Sequence, residues 1–529
     1  MKARLTLVAL VVLATSAGVA RADVANVASQ AGIAEIHRTF SINPTDFNRD
    51  GRDDFFFVRH IGDQGPENVP FSTLYRGIGG AFVNHATRAF GKTDKHGCAW
   101  RDANRDGRPD MFCAIGFTQF SKNELWIQKA DGSFTNRAQA LGLTVGSHGR
   151  YRYATFIHAN NDSRPDIYVA RYTGSCFCDN NDDGVVDYAG DDFPNELWIN
   201  EGGSFRHAPG FGLDLPIGSK KDNATCAQAV DYDRDGDQDL LVCGWKKLHL
   251  FKNKGGTGFA DVTSQKGISG NAVDARLVDL DGDKARDLVR LSPSRVTVRY
   301  GNGSGGFGPA DGIASITAGE GLAFGRFNSG TTTDVYVLAS RRAGTGDQPD
   351  KILFNKGNRT FSARRIPAAR GAGDDVAALD YNQDRRADFV VTNGDRKFAG
   401  PVQLFTWRPA IRIVKIYYDS PGTDTGSNSS LNAEWIRIKN TGSKRRTLTG
   451  WKIRDASGHV YRFGRFRLRP GRTLTVHTGR GSNTARHRYW GRERYVWNNR
   501  RDTATLKNRR GSIVERCSYR SRSRDYKIC

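Results

Sequence analysis

The strongest constraint in this sequence is that it repeats. The nine residues Asp46-Phe47-Asn48-Arg49-Asp50-Gly51-Arg52-Asp53-Asp54 carry carboxylate or amide side chains at positions 1, 3, 5 and 9. The same frame returns at 102–110, 231–239, 279–287 and 380–388. Two degenerate copies fill the gaps. One runs through His158, Asn160, Asp162 and Asp166, the other through Arg326, Asn328, Gly330 and Asp334. The seven starts, at 46, 102, 158, 231, 279, 326 and 380, lie mostly near fifty residues apart, which suits one four-stranded propeller blade per copy.

Strand signals surround each copy. The position-9 Asp opens an apolar run, such as Phe55-Phe56-Phe57-Val58, Ile167-Tyr168-Val169-Ala170, Leu240-Leu241-Val242 or Phe389-Val390-Val391. Continuous runs of this length read as strands buried on both faces. A further strand often follows, as in Glu124-Leu125-Trp126-Ile127 and Glu196-Leu197-Trp198-Ile199, and then a Gly turn. No long window has helical apolar spacing, so the chain reads as all-β.

The frame is suited to calcium. Ca²⁺ takes six to eight oxygens at about 2.3–2.6 Å. Side chains at 1, 3 and 5 converge if the backbone wraps around the ion, and Gly51, Gly107 and Gly236 permit that turn at position 6. The position-7 carbonyl and the position-9 carboxylate complete the cage. The expected donors are Asp46, Asn48, Asp50, Arg52 (carbonyl) and Asp54, then Asp102, Asn104, Asp106, Arg108 (carbonyl) and Asp110. They continue with Asp231, Asp233, Asp235, Asp237 (carbonyl) and Asp239, and with Asp279, Asp281, Asp283, Ala285 (carbonyl) and Asp287. The last repeat offers Asp380, Asn382, Asp384, Arg386 (carbonyl) and Asp388. Metal-free Asx-turns would explain one such loop; five in register favour structural Ca²⁺. His158 and Arg326 are poor ligands, so those two loops are expected to be empty or weak. An eighth match, Asp179, Asn181, Asp183, Val185 (carbonyl) and Asp187, lies outside the seven-fold spacing and reads as a calcium-stapled insert.

These blocks resemble the FG-GAP (VCBS-type) repeats of integrin α-subunits and many secreted bacterial proteins. The resemblance covers roughly 24–408 and implies a seven-bladed β-propeller with calcium in hairpin loops. Lys284 and Arg385 stand where Gly is usual. The segment from Val24 to Ile33 looks like the end of a blade, matching Phe259 to Ile268, and is expected to complete the last blade and lock the ring.

Residues 1–22 have the layout of a secretory signal. Lys2 and Arg4 precede the apolar run Leu5 to Leu13, and Ala20-Arg21-Ala22 is a small-x-small site before Asp23. Eight cysteines in an exported chain favour disulfides. They fall in local pairs: Cys98 with Cys113, Cys176 with Cys178, Cys226 with Cys243, and Cys517 with Cys529.

Composition shifts near Pro409. Residues 410–529 hold 29 Lys and Arg against 8 Asp and Glu, a net of +21, which leaves +2 of the chain's +23 to the rest. Three segments alternate as strands: Ile411 to Ile416, Trp435 to Lys439 and Thr473 to His477. Short strands with polar turns suggest a β-sandwich. Asn432-Ala433-Glu434-Trp435, Leu448-Thr449-Gly450-Trp451, Val476-His477-Thr478-Gly479 and Val496-Trp497-Asn498-Asn499 resemble the lamin-tail domain, which implies an immunoglobulin-like sandwich over about 411–516. His477, Trp490 and Trp497 read as fold markers packing its core.

The expected domains are thus a signal peptide (1–22), a propeller (23–409) and a basic sandwich (410–529). No Ser/His/Asp or Cys/His arrangement and no phosphate-cradling Gly loop is visible. The expectation is a secreted, non-enzymatic binding or adhesion scaffold, extracellular or attached to the cell envelope. An extracellular protein or glycan would bind the propeller. An anionic polymer (cell-wall polymer, DNA or acidic polysaccharide) would bind the tail. The alternative is a secreted polysaccharide hydrolase or lyase using a propeller cleft.

Overall fold

A computed structural model describes residues 24–37, 39–59, 71–86, 88–116, 122–143, 150–172, 177–178, 187–188, 195–213, 224–244, 246–328, 330–340, 348–366, 373–394, 400–442, 444–511, 513–520 and 524–529. The chain divides into two compact units. One is Asn26–Thr406 and the other is made mainly of Trp407–Cys529.

In the first unit, seven antiparallel four-stranded sheets follow one another. Blade 1 uses Thr39–Thr45, Asp54–Arg59, Thr73–Gly77 and Phe82–Ala86. Blade 2 uses Lys95–Arg101, Asp110–Ile115, Glu124–Gln128 and Phe134–Asn136, and blade 3 uses Arg150–Ile157, Asp166–Tyr172, Glu196–Asn200 and Phe205–His207. Blade 4 uses Ala224–Val230, Asp239–Gly244, His249–Asn253 and Phe259–Asp261, and blade 5 uses Asp274–Val278, Asp287–Leu291, Arg295–Arg299 and Asp311–Ser315. Blade 6 uses Gly319–Gly325, Asp334–Ala339, Asp350–Asn355 and Phe361–Ile366. Blade 7 takes Asp375–Leu379, Asp388–Thr392 and Gln403–Trp407, with Val24–Asn26 as its fourth strand. The first strand of each blade packs beside the first strand of the next, and the seventh returns to the first. The sheets therefore close a ring, a seven-bladed β-propeller.

The apolar runs explain the packing. Each second strand lies between two strands of its own sheet and under the neighbouring blades. Asp110–Ile115, Asp239–Gly244, Asp334–Ala339 and Asp388–Thr392 are accordingly buried along their whole length. The cores run from blade to blade: Tyr168 and Ala170 of blade 3 share a cluster with Leu240, Val242 and Phe251 of blade 4.

The ring closes as the sequence led us to expect. The Val27 N–H donates to the Leu404 carbonyl at 2.7 Å, and the Leu404 N–H donates to Asn26 Oδ1 at 3.2 Å. Val27, Ala28, Ala31 and Ile33 are buried. Disulfides join Cys98 to Cys113 and Cys226 to Cys243, each directly across the first two strands of a blade. Phe177–Cys178 pairs with Asp187–Tyr188 as a two-stranded ribbon. The expected insert loop between them, Cys176, and the leader 1–22 lie outside the described residues. No described helix is long and apolar enough to cross a membrane.

The second unit is a sandwich. One sheet has five strands: Ile411–Tyr417, Trp435–Asn440, Thr473–His477, His487–Tyr489 and Tyr526–Ile528. The other has four: Lys452–Arg454, Val460–Arg462, Arg501–Lys507 and Ile513–Arg520. Alternation decides the faces. Ile411, Ile413, Ile416, Ile436, Ile438, Leu474 and Val476 of the first sheet meet Ile453, Ala504 and Leu506 of the second in one core. The Cys517–Cys529 disulfide ties the second sheet to the chain end just beyond the first. Trp497 is buried in the core and Trp490 packs against it. His477 is a correction: it pairs with Trp435 on the outward face, because the inward positions of its strand are Leu474 and Val476.

Candidate metal centres

All seven repeat loops join the first strand of a blade to its second, so they share one end of the ring. Local hydrogen bonds wrap each loop around its acids. Asp46 accepts from the N–H groups of Asp50 (3.0 Å) and Gly51 (2.9 Å). Asp102 accepts from Asp106 (3.0 Å) and Gly107 (2.7 Å), and Asp380 from Asp384 (2.9 Å) and Arg385 (2.7 Å). The position-5 carboxylates Asp50, Asp106, Asp235, Asp283 and Asp384 accept from the position-7 N–H groups at 2.7–3.0 Å. Two left-handed residues make the wrap. They are Arg49 and Gly51, Arg105 and Gly107, Arg234 and Gly236, Gly282 and Lys284, and Gln383 and Arg385. Lys284 (φ 71°) and Arg385 (φ 64°) thus take the conformation glycine takes elsewhere.

The position-9 Asp has a second task. Asp54 accepts from Phe47 N–H (3.2 Å) and Gly77 N–H (2.8 Å), and Asp110 accepts from Ala103 N–H (2.9 Å) and Gln128 N–H (2.8 Å). Asp239 and Asp287 do the same. The carboxylate ties position 2 of the loop to the third strand. Burial pushes Asp54 and Asp239 up to about 7, and Asp110 and Asp287 to about 6. A buried carboxylate of this kind is stabilised as the anion by a cation.

The fourth and fifth loops bring acids together most closely. Oxygens of Asp231, Asp233, Asp235 and Asp239 lie within 4.8 Å of one another, as do those of Asp279, Asp281 and Asp283. At Asp46, Asp102 and Asp380, an Asn holds position 3; the Asn48 and Asn104 amides donate to Asp50 (3.4 Å) and Asp106 (2.8 Å). This donor chemistry, several carboxylates with carbonyl and amide oxygens, fits a hard divalent ion. The Lys252 ammonium also lies on Asp233 and, at 2.7 Å, on Asp235. Nothing in the repeat frame announces it, since it comes from the third strand.

The two degenerate loops close differently. The Nδ1 of His158 lies 3.1 Å from the Asp162 carbonyl and 3.2 Å from that of Arg164, the position-7 carbonyl. The position-6 residues Ser163 and Thr331 are not left-handed. In the sixth loop the Asn328 amide donates to Asp334 at 3.0 Å. Asp166 still accepts from the backbone N–H groups of Ala159 and Asn200, and Asp334 from those of Phe327, Asn328 and Asn355. Their structural task explains why these acids sit in loops whose frame has lapsed.

The loops also link blades. Arg49 Nη1 donates to the Gly107 carbonyl at 2.5 Å, Asn161 to Asp237 at 2.6 Å, Arg359 to Asp281 at 3.1 Å, and Asp380 N–H to Asp53 at 2.5 Å. A staple that the sequence reading missed recurs at the end of third strands. Asn200, Asn253 and Asn355 donate to the position-2 carbonyl of the preceding blade: Ala103 (2.8 Å), Ala159 (3.2 Å) and Leu280 (2.8 Å). The available signal was an Asn-x-Gly after each such strand.

Near the ring axis, polar side chains are engaged between blades. Asp375 accepts from Ile42 N–H (2.9 Å), Asp274 from Leu322 N–H (2.8 Å), and Gln228 pairs with both backbone groups of Leu277. Arg276 pairs with Asp274.

Comparison with protein-family models agrees with this architecture. The FG-GAP-like repeat matches residues 46–113, 102–169 and 231–289, and the Lamin Tail Domain matches 407–521. No curated protein matches the chain. Among solved structures, it is similar to an Agrocybe aegerita lectin studied for specific recognition of non-reducing terminal N-acetylglucosamine. That pair has 15% identity over 62% of this chain and 80% of the other, with a TM-score of 0.40. It is also similar to the β-propeller domain of Cps50 (Swd1) from Myceliophteria thermophila, with 12% identity over 70% and 96% and a TM-score of 0.41.

Proposed function

We propose, for a chain that carries FG-GAP-like repeats ahead of a C-terminal lamin tail domain, that it is a secreted, non-enzymatic binding scaffold. Structural Ca²⁺ holds the blade loops, the propeller presents a face to an extracellular protein or glycan, and the basic tail domain attaches to an anionic polymer. The observation that carries this reading is the convergence of Asp231, Asp233, Asp235 and Asp239 in one loop of a frame repeated in register around the ring. Each loop is tied to a neighbouring strand or blade, so an ion there would brace the ring and do no chemistry. Asp274, Asp375 and Gln228 support the scaffold reading, since each is engaged by the backbone of a neighbouring blade.

Thermal melting with and without a calcium-selective chelator tests the metal. The expected result is a lower Tm on chelation, restored by Ca²⁺; an unchanged Tm sinks it. Binding of the protein to DNA, wall polymer and acidic glycan over a salt series tests the tail. A steep loss with salt is expected, because counterion release drives polyanion binding.

A further inference from the structure

The outward face of the five-stranded sheet carries an ordered row of rings. Tyr526 stands opposite Tyr417, Tyr417 opposite Trp435, Trp435 opposite His477, and His477 opposite Tyr489. The row crosses all five strands, about 19 Å at ~4.8 Å per strand. At three of its four steps the planes are nearly parallel: 18° between Tyr417 and Tyr526, 22° between Tyr417 and Trp435, and 20° between His477 and Tyr489. His477 is fixed by an Nδ1 contact of 2.7 Å with the Asn432 carbonyl and an Nε2 contact of 2.8 Å with His487 Nδ1.

A polar row that carries two cations, Lys415 and Arg437, runs beside it. Lys415, Arg437, Thr475 and His487 are successive cross-strand partners. Lys415 Nζ lies 3.8 Å over the Tyr526 ring and 5.6 Å from that of Trp435, and the Arg437 guanidinium lies 4.4 Å over Trp435. None of these side chains fills the core, which lies on the opposite face. A solvated sheet face ordinarily carries mixed polar groups. Five aligned rings flanked by fixed cations, in a domain of net charge +21, call for a partner that is both aromatic and anionic.

We propose that this face binds single-stranded nucleic acid. The inference rests on the reading that the tail domain binds an anionic polymer, and it adds the surface and the chemical class. An extended strand offers both complements: unpaired bases for the ring row and phosphates for Lys415 and Arg437. Aromatic platforms combined with basic tracks are how single strands are held without sequence preference. The planar guanidinium of Arg437 suits phosphate. A duplex hides its bases, and an acidic polysaccharide has no ring π-faces.

The test uses the intact protein and a labelled oligothymidylate, followed by fluorescence anisotropy over a salt series, with duplex DNA and a sulfated glycan as competitors. Trp435→Ala and Tyr526→Ala are each expected to weaken binding about ten-fold or more. Trp435→Phe should retain most of it. Lys415→Ala should flatten the salt dependence by about 0.7 in log–log slope. Arg446→Ala with Arg469→Ala, exposed and off this sheet, should leave the ring dependence intact. Melting curves verify that each variant folds. Oligothymidylate binding that ignores the ring variants overturns this inference and leaves the polyanion reading standing. Tighter, Trp435-dependent binding of the glycan overturns the nucleic-acid assignment. Absence of any polyanion binding overturns both.

Discussion

The imidazole of His158 points its Nδ1 at the carbonyl oxygen of Arg164, 3.2 Å away. In the proposed calcium frame that carbonyl would face the ion, so the imidazole takes the place that a cation would hold in blade 3. His158→Asp with Ser163→Gly would restore the carboxylate and the left-handed turn. Calorimetric titration of the double variant is expected to show one more Ca²⁺ per chain than the parent protein. An unchanged stoichiometry would mean that the loop backbone forbids the cage.

Lys284 and Arg385 hold positive φ where other loops use glycine. A non-glycine residue there costs about 1–2 kcal/mol, and glycine costs about 0.5–1 kcal/mol in unfolded-chain entropy. Lys284→Gly and Arg385→Gly should each gain up to about 1 kcal/mol, read as a higher urea midpoint. A loss in both would show that the side chains contribute more than the turn.

Asp350 is buried, accepts from Tyr336 Oη at 2.5 Å and from Ala339 N–H at 2.8 Å, and is pushed up to about 7 by burial. Its ordinary value is 3.8. Between those values the native state keeps a proton that the unfolded chain has lost. Stability therefore falls as pH rises through that window, by about 1.4 kcal/mol per unit for one such group, and levels off above it. Asp350→Asn keeps the acceptor oxygen and should flatten that part of the stability–pH curve.

The Cys226–Cys243 disulfide closes a 17-residue separation across two strands of blade 4. Chain entropy assigns such a loop about 3 kcal/mol. Replacing both cysteines by Ala should lower stability by roughly that amount, measured by chemical denaturation, with the same fold by circular dichroism.

Removing residues 24–33 takes away the fourth strand of blade 7 and the buried Val27, Ala28, Ala31 and Ile33. It also leaves the edge of Gln403–Trp407 unpaired. A loss of several kcal/mol and a tendency to associate through that edge are expected, seen by melting and by light scattering. A monomer of unchanged stability would show that closure is dispensable.

The repeat, its count and its strand order were legible because they are local. Position 9 precedes each buried strand, and a run such as Phe55-Phe56-Phe57-Val58 has only one way to hide both faces. The acid-rich turns were legible for the same reason: alternate residues on a tight turn converge wherever the turn forms. The closing strand was legible because Val24 to Ile33 repeats the pattern of Phe259 to Ile268.

Other relationships depend on residues far apart in the chain. Lys252 reaches Asp235 from another strand, and Asn253 reaches back a whole blade to Ala159. His477 was misread because a histidine in an alternating strand faces inward or outward according to register. Only pairing with Trp435 settles which. The same holds for the ring row. Tyr417, Trp435, His477, Tyr489 and Tyr526 share no motif, and sheet register alone sets them side by side. The sequence by itself determined the blades, their number and the acid-rich turns, because these follow from periodicity within a few residues. Tertiary structure decided which side chains from distant strands meet, because strand pairing and ring closure, and no local pattern, fix those distances.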